Sequence, residues 1–195
     1  YAVLHGERPA VHADLALPGH RTTPLASLGQ EVAARTVTCT SPSKAFNLAG
    51  LQVANILIPD PVLRARFRVE LDAAGYSQPN ALGLVACRAA YEGGDAWLDE
   101  LREHIAAARA HVVDRLASVP GVEAVPGEGT YLLWLDCTGL LAAAGLDPDR
   151  LDDVILEEAG LWLDDGAIFG AGGRGFTRMN VGCPRATLDE ALNRL

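Results

Sequence analysis

Lysine is all but absent from this chain. Of 195 residues, 16 are lysine or arginine, and Lys44 is the only lysine among them. Methionine is equally scarce, with Met179 alone, and aromatic residues make up 6%. Cysteine is limited to Cys39, Cys87, Cys137 and Cys183, with no C-x-x-C pair. That spacing argues against a disulfide framework or a zinc site and suits a reducing cytosol, so a cytoplasmic location is expected. All four read as small core residues. No apolar run approaches the roughly 18–20 residues of a membrane span. Basic runs are missing too, and a formal net charge of −9 argues against nucleic acid as a partner. The chain opens "YAVLHGERPA", with neither an initiator Met nor a signal-peptide pattern, so it is expected to be the interior of a longer protein.

What is present alternates strand and helix signals, which makes the class α/β. Residues 1–30 mix short apolar pieces with turn-formers and read as loop with short strand. The β-branched "RTVTCTS" at 35–41 predicts a buried strand, and "LQVANILIP" at 51–59 predicts a second. Asp60 followed by Pro61 predicts a capped helix that runs to Gly75. Two helical runs follow from Asn80, the first stopping at Gly93-Gly94 and the second starting at Asp95. In the second, Trp97, Leu101, Ile105, Ala108 and Val112 form one apolar stripe, read as core packing. After Pro120-Gly121 come a strand pair over "VEAVPGEGTYLLWLDC" and a helix from Asp147 or Asp149 to Gly160. The loop "AIFGAGGRG", the strand "FTRMNVGC" and a final helix from Pro184 complete the chain. Two domains are expected, 1–95 and 96–195.

Lys44 follows the first predicted strand in "CTSPSKAFNLAG". Strand ends with small hydroxylated residues are where α/β proteins place anionic ligands, and Ser41 and Ser43 offer hydroxyl and backbone N–H groups. A lysine there serves either as a point charge on a nucleotide phosphate or as a Schiff-base amine. The nucleotide reading wants glycines ahead of the lysine, and none stand there. Arginine replaces lysine as a solvated charge but not as a deprotonatable amine, which favours the Schiff base.

"SPSKAFNLAGLQ" resembles the cofactor-lysine motif of fold-type I pyridoxal-phosphate enzymes. It is most similar to the class I/II aminotransferases of the MalY/PatB-type cystathionine β-lyase (C–S lyase) group. "VHADLALPGHRTTPLASLG", "GYSQPNALGLVACRAAYEGGDAWLDEL", "GEGTYLLWLDC" and "GAIFGAGGRGFTRMNVGCPRATLDEALNRL" resemble further family segments in order, so the similarity runs from about residue 11 to 195. The resemblance implies the C-terminal part of the aspartate aminotransferase-like fold. This comprises a remnant of the large domain's mostly parallel sheet and a small α/β C-terminal domain. It implies pyridoxal 5'-phosphate as cofactor, an amino-acid substrate, and a homodimer in the full-length family. Lys44 would be the Schiff-base lysine and the base for the substrate's Cα proton. Ser41, with Ser43, would contact the cofactor phosphate, and Arg178 would clamp the substrate α-carboxylate in a bidentate fork. Asn80 would reach toward the partner subunit's cofactor.

Several residues read as structural. His12 occupies the family's histidine position as a loop residue, and His20 and His104 carry no chemistry. Arg174 and Arg185 read as surface charges. Asp147, Asp149, Asp152 and Asp153 lack calcium-loop spacing and read as a helix cap and a solvated face, so no metal is expected. "GAGGRG" alone is a weak phosphate-loop signal. Two departures from the family bear on activity. Gln52 replaces an arginine common in aminotransferases, and Pro9 falls where the family's ring-nitrogen aspartate is expected. With the family roughly twice this length, a missing N-terminal half is a further expected partner. The alternative to an enzyme portion is a truncated, inactive domain acting as a folding or association module.

Overall fold

The computed structural model describes residues 10–76 and 78–195. Pro9 lies outside them. The chain divides into two compact units, the first closing at Leu101 and the second running from Arg102 to Leu195.

In the first unit the expected N-terminal strand is replaced by 3-10 turns, Ala10–Leu15 and Leu25–Leu28, followed by the short helix α1, Gln30–Ala34. Pro18, Gly19 and Pro24 crowd this stretch, and proline cannot donate to a strand ladder. Strand β1, Thr38–Thr40, pairs antiparallel with β2, Asn55–Leu57. Both strands are shorter than expected, and they form an antiparallel pair within the implied remnant of a mostly parallel sheet. The reason lies in the link: a parallel pair needs a long crossover, usually a helix, whereas the link here is a loop with one 3-10 turn, Ala49–Leu51. Helix α2, Pro61–Ala73, starts as predicted, with the Asp60 carboxylate accepting from the Leu63 N–H at 2.7 Å. Helix α3, Ala81–Gly93, and α4, Asp95–Leu116, follow. On α4 the buried apolar residues are Leu98, Ile105, Ala108, Val112 and Leu116, while Trp97 is half exposed. The stripe is therefore displaced by one position at its N-terminal end.

The second unit is a four-stranded antiparallel sheet in the order β3-β4-β6-β5 with helices packed on it. Its strands are β3 (Glu123–Val125), β4 (Leu132–Asp136), β5 (Asp164–Asp165) and β6 (Phe176–Asn180). Its helices after α4 are α5 (Thr138–Ala144), α6 (Leu151–Ala159) and α7 (Arg185–Arg194). Side chains alternate across a strand, so Leu133, Leu135 and Met179 point into the core beside Val112, Leu116, Leu141, Ile155 and Leu188. Trp134, Phe176 and Arg178 fall on the other face.

Three of the four acidic residues have local partners. Asp147 caps the 3-10 turn Pro148–Arg150, Asp149 takes Arg174 through two 2.7 Å hydrogen bonds, and Asp153 pairs with Arg150. Arg174 thus has a specific partner rather than being a plain surface charge. Cys137 is 3% exposed, and burial pushes its thiol up to about 11 from an ordinary value of 9.0. Because the folded state keeps this proton longer than the unfolded one, the associated stability is present below about pH 9 and is lost as pH rises toward about 11. We expect Cys137 to resist a maleimide at pH 8 until the unit unfolds. Mass spectrometry of native and urea-treated protein checks this, and labelling of Cys137 in the native state would contradict it.

Candidate active site

In the first unit, the loop between β1 and β2 presents the sole lysine. Two devices brace it. Ser41 is buried at the end of β1, where its hydroxyl donates to the Val53 carbonyl at 2.6 Å and accepts from the Ser43 N–H at 3.1 Å. The first ties the start of the loop to the segment just before β2, and the second closes the start of the loop on itself. At the other side Phe46 stacks on Trp97, with ring centroids 5.4 Å apart, and meets Tyr91 edge-on at 6.1 Å. Between these anchors the Phe46 N–H bonds to the Pro42 carbonyl at 2.9 Å and the Leu48 N–H to the Ser43 carbonyl at 3.0 Å. Lys44 sits within that turn, exposed. Gly94 is required for the arrangement, since a Cβ there would overlap both the Phe46 ring and the Ala90 carbonyl.

The structure places the other predicted residues of this unit in supporting positions. Ser41 turns its hydroxyl inward rather than out of the loop. Ser43 is half-buried, with its backbone N–H on Ser41. Asn80 caps α3, its Oδ1 accepting from the Leu82 N–H at 3.0 Å and its Nδ2 donating to the Leu51 carbonyl at 3.4 Å. Gln52 is exposed and holds a left-handed backbone conformation, φ 51°, that closes the turn before β2. Tyr91, which the sequence did not single out, lies among Asp14, Thr40, Asn55 and Cys87. Burial and then the Asp14 charge push its phenol above its ordinary range.

In the second unit, Arg178 lies mid-strand on β6, opposite Trp134 of β4 and Asp164 of β5. Its Nε donates to Asp164 Oδ2 at 2.9 Å, and Nη2 lies 2.8 Å from the same oxygen in an ion pair. The guanidinium carbon Cζ lies over the Phe169 ring, 4.6 Å from its centroid. Phe169 is in turn edge-on to Trp134, which stacks on Phe176 at 5.8 Å. The loop carrying Phe169 is two 3-10 turns, Gly166–Phe169 and Ala171–Gly173, folded onto each other so closely that a Cβ on Gly173 would overlap the Gly166 carbonyl. That approach explains Gly173 of "GAGGRG", and positive φ values of 121° and 81° explain Gly170 and Gly175. Tyr131 is also near: burial raises its phenol, and the positive charge of Arg178 opposes the rise.

Asp164, Phe169, Trp134 and Tyr131 are the neighbours that sequence reasoning missed. One signal was available for Trp134, since the alternation of "LLWLD" and "FTRMN" puts Trp134 and Arg178 on the exposed faces of their strands. The partnership with Asp164 depends on a strand register that the sequence does not carry.

Residues 10–195 match the family model of aminotransferases of class I and II. The chain is 40% identical over 186 residues to cystathionine beta-lyase PatB of Bacillus subtilis, covering 95% of this chain and 47% of that protein. To protein MalY of Escherichia coli it is 34% identical over 155 residues, covering 78% of this chain and 39% of the other. Among solved structures, cystalysin from Treponema denticola, which contains a pyridoxal 5'-phosphate cofactor, superposes with a TM-score of 0.88 at 35% identity. That match covers 94% of this chain and 46% of cystalysin. The chain spans about half the length of the curated relatives it matches.

Proposed function

This chain belongs to the class I and II aminotransferase family, and on that premise we propose that it is the lysine-bearing portion of a pyridoxal 5'-phosphate enzyme. The whole enzyme acts on sulfur-substituted amino acids as a C–S β-lyase. The observation that carries the reading is Lys44, the one lysine of the chain, exposed on a loop braced by Ser41 on one side and Phe46 on the other.

The residues present fit the cofactor. Lys44 supplies an accessible primary amine for its aldehyde, and Ser43 lies next to it with a hydroxyl and a half-buried backbone. Ser41 contributes by holding the loop, since its own hydroxyl already donates to Val53. Bound pyridoxal phosphate supplies an electron sink that makes a Cα proton removable. The chain's own residues do the rest. Arg178 holds the substrate's α-carboxylate through a planar fork of N–H donors, which fixes the amino acid's orientation. Lys44 Nζ takes the Cα proton. In the overall reaction a cysteine S-conjugate and water give a thiol, pyruvate and ammonium: the Cβ–S bond breaks, and sulfur leaves with the electron pair. The whole protein is proposed to act as a homodimer together with the N-terminal half that its relatives carry, with Asn80 holding α3 against Leu51.

The test is the visible spectrum on adding pyridoxal phosphate, followed by borohydride reduction and peptide mapping. We expect a chromophore whose reduced adduct maps to Lys44. A reduced adduct elsewhere, or none in the whole protein, would overturn the reading. Pyruvate release from L-cystathionine, measured beside amino transfer to 2-oxoglutarate, decides between lyase and transaminase, and absence of pyruvate would sink the lyase form.

A further inference from the structure

We infer that Asp164 is a positioning residue for Arg178, holding one edge of its guanidinium so that the other edge is presented to a carboxylate. The inference rests on the reading of Arg178 as a carboxylate fork and extends it. A guanidinium offers two bidentate edges, Nε with Nη2 and Nη1 with Nη2. Asp164 occupies the first with a single oxygen, Oδ2, and among the described residues it is the one hydrogen-bond acceptor Arg178 has. The guanidinium carbon also packs over the Phe169 ring, 4.6 Å from its centroid. An incoming carboxylate therefore meets a fork held at one edge by Asp164 and packed against Phe169, with the Nη1/Nη2 edge forward. Asp164 and the ligand can be held together, each on its own edge.

The fold invests in this placement. Asp164 stands directly across the β5–β6 ladder from Arg178. Thr177, 2% exposed, donates its hydroxyl to the Asp164 carbonyl at 3.1 Å and fixes the strand. The next residue, Asp165, accepts from the Ala167 N–H at 2.9 Å and starts the turn that brings Phe169 over the guanidinium. Stability is a poor explanation for the pair, because its side chains are 31% and 44% exposed and such solvent-screened pairs contribute little. Holding a long side chain in one geometry before a ligand arrives is a better one, since ordering it at binding would cost affinity.

The competing account is a latch, in which Asp164 occupies the fork and must be expelled. Two substitutions separate the accounts, because Asp164→Asn removes the charge but keeps an acceptor, whereas Asp164→Ala removes both. The readout is the Arg178 Nε–Hε resonance in a ¹⁵N spectrum of the full chain, assigned by its loss in Arg178→Lys and followed during titration with sodium acetate at constant ionic strength. For a positioning role, hydrogen exchange at Nε–Hε stays slow in Asp164→Asn and quickens by roughly 10-fold in Asp164→Ala, as a lost charge-assisted bond implies. Acetate then binds Asp164→Ala about 3- to 10-fold more weakly than Asp164→Asn. A latch predicts that both variants bind acetate equally and more tightly than wild type. Equal exchange rates and equal affinities in the two variants overturn the inference. If Arg178 in the wild type does not respond to acetate, the carboxylate reading itself fails, and the exchange comparison still decides whether Asp164 positions the side chain. Asp164→Leu repeats the comparison should the alanine variant loosen β5.

Discussion

A Lys44→Arg protein is expected to fold normally and to lose turnover of L-cystathionine by about 10³-fold, within the range that general acid–base groups contribute. Both halves of that expectation come from the same geometry. Lys44 is exposed, and the turn is held by Ser41 and Phe46 rather than by the lysine itself. A longer cation can therefore be accommodated with a change of stability within about 0.5 kcal/mol, as for most surface substitutions. What arginine cannot provide is a neutral amine, because its guanidinium stays protonated and its nitrogens are delocalised. The charge is retained while the chemistry is lost, so a role for Lys44 as a mere point charge predicts the opposite, with near-normal turnover. The measurement is pyruvate release by the whole protein, with a thermal melt of the same sample. Retention of more than about a tenth of the wild-type rate would remove Lys44 from the reaction. Lys44→Ala extends the test: if the missing group is a proton carrier, added methylamine restores part of the rate, and an unresponsive variant argues for a role in attachment alone.

Which features the sequence could carry follows from their range along the chain. The starts of α2 and α3 were legible because Asp60 and Asn80 cap N–H groups only two or three residues away. The inward and outward faces of β4 and β6 were legible because alternation needs only a few neighbours. Short 3-10 turns and α5 carried no comparable periodic signal. The β2 strand was overextended because "LQVANILIP" reads as continuous, whereas Gln52 is a left-handed turn residue and Leu51 still belongs to the 3-10 turn. At the candidate site, Lys44 and Arg178 were visible as residue types in motifs. Their supports were not: Ser41 reaches Val53, Phe46 reaches Trp97, and Arg178 reaches Asp164, each across a separation that only folding closes. A hydroxyl in such a loop can serve the backbone or a ligand, and the contact with Val53 is the one that the sequence alone does not carry.

Arg109→Leu is expected to destabilise the second unit by about 3 kcal/mol, more than any surface charge could, because each buried acceptor left unmet costs roughly 1–3 kcal/mol. Arg109 lies on α4 and is 7% exposed. Its Nη1 donates to the carbonyls of Thr130 and Leu132 at 3.1 and 2.8 Å, and its Nη2 donates to that of Gly127 at 3.2 Å. These three carbonyls converge because the turn before β4 is folded tightly, with Thr130 at φ 66° and its hydroxyl accepting from the Leu132 N–H at 2.8 Å. Leucine matches much of the buried volume but donates to none of them. Gly127 is exposed and can turn to water, so the loss falls on Thr130 and Leu132, which keeps the total nearer three than nine. Arg109→Lys regains one donor and is expected to lie about midway. Urea denaturation should show the leucine variant's midpoint lowered by about 1–3 M for a slope of 1–3 kcal/mol/M. Amide exchange adds the spatial prediction: protection falls first at Leu132 and at Val181, whose N–H bonds to the Tyr131 carbonyl at 2.8 Å. The same turn carries Tyr131 into the field of Arg178, so loosening it should also shift the Arg178 Nε–Hε resonance. A leucine variant within about 0.5 kcal/mol of wild type would mean that water replaces the guanidinium at all three carbonyls and that Arg109 does not hold the turn.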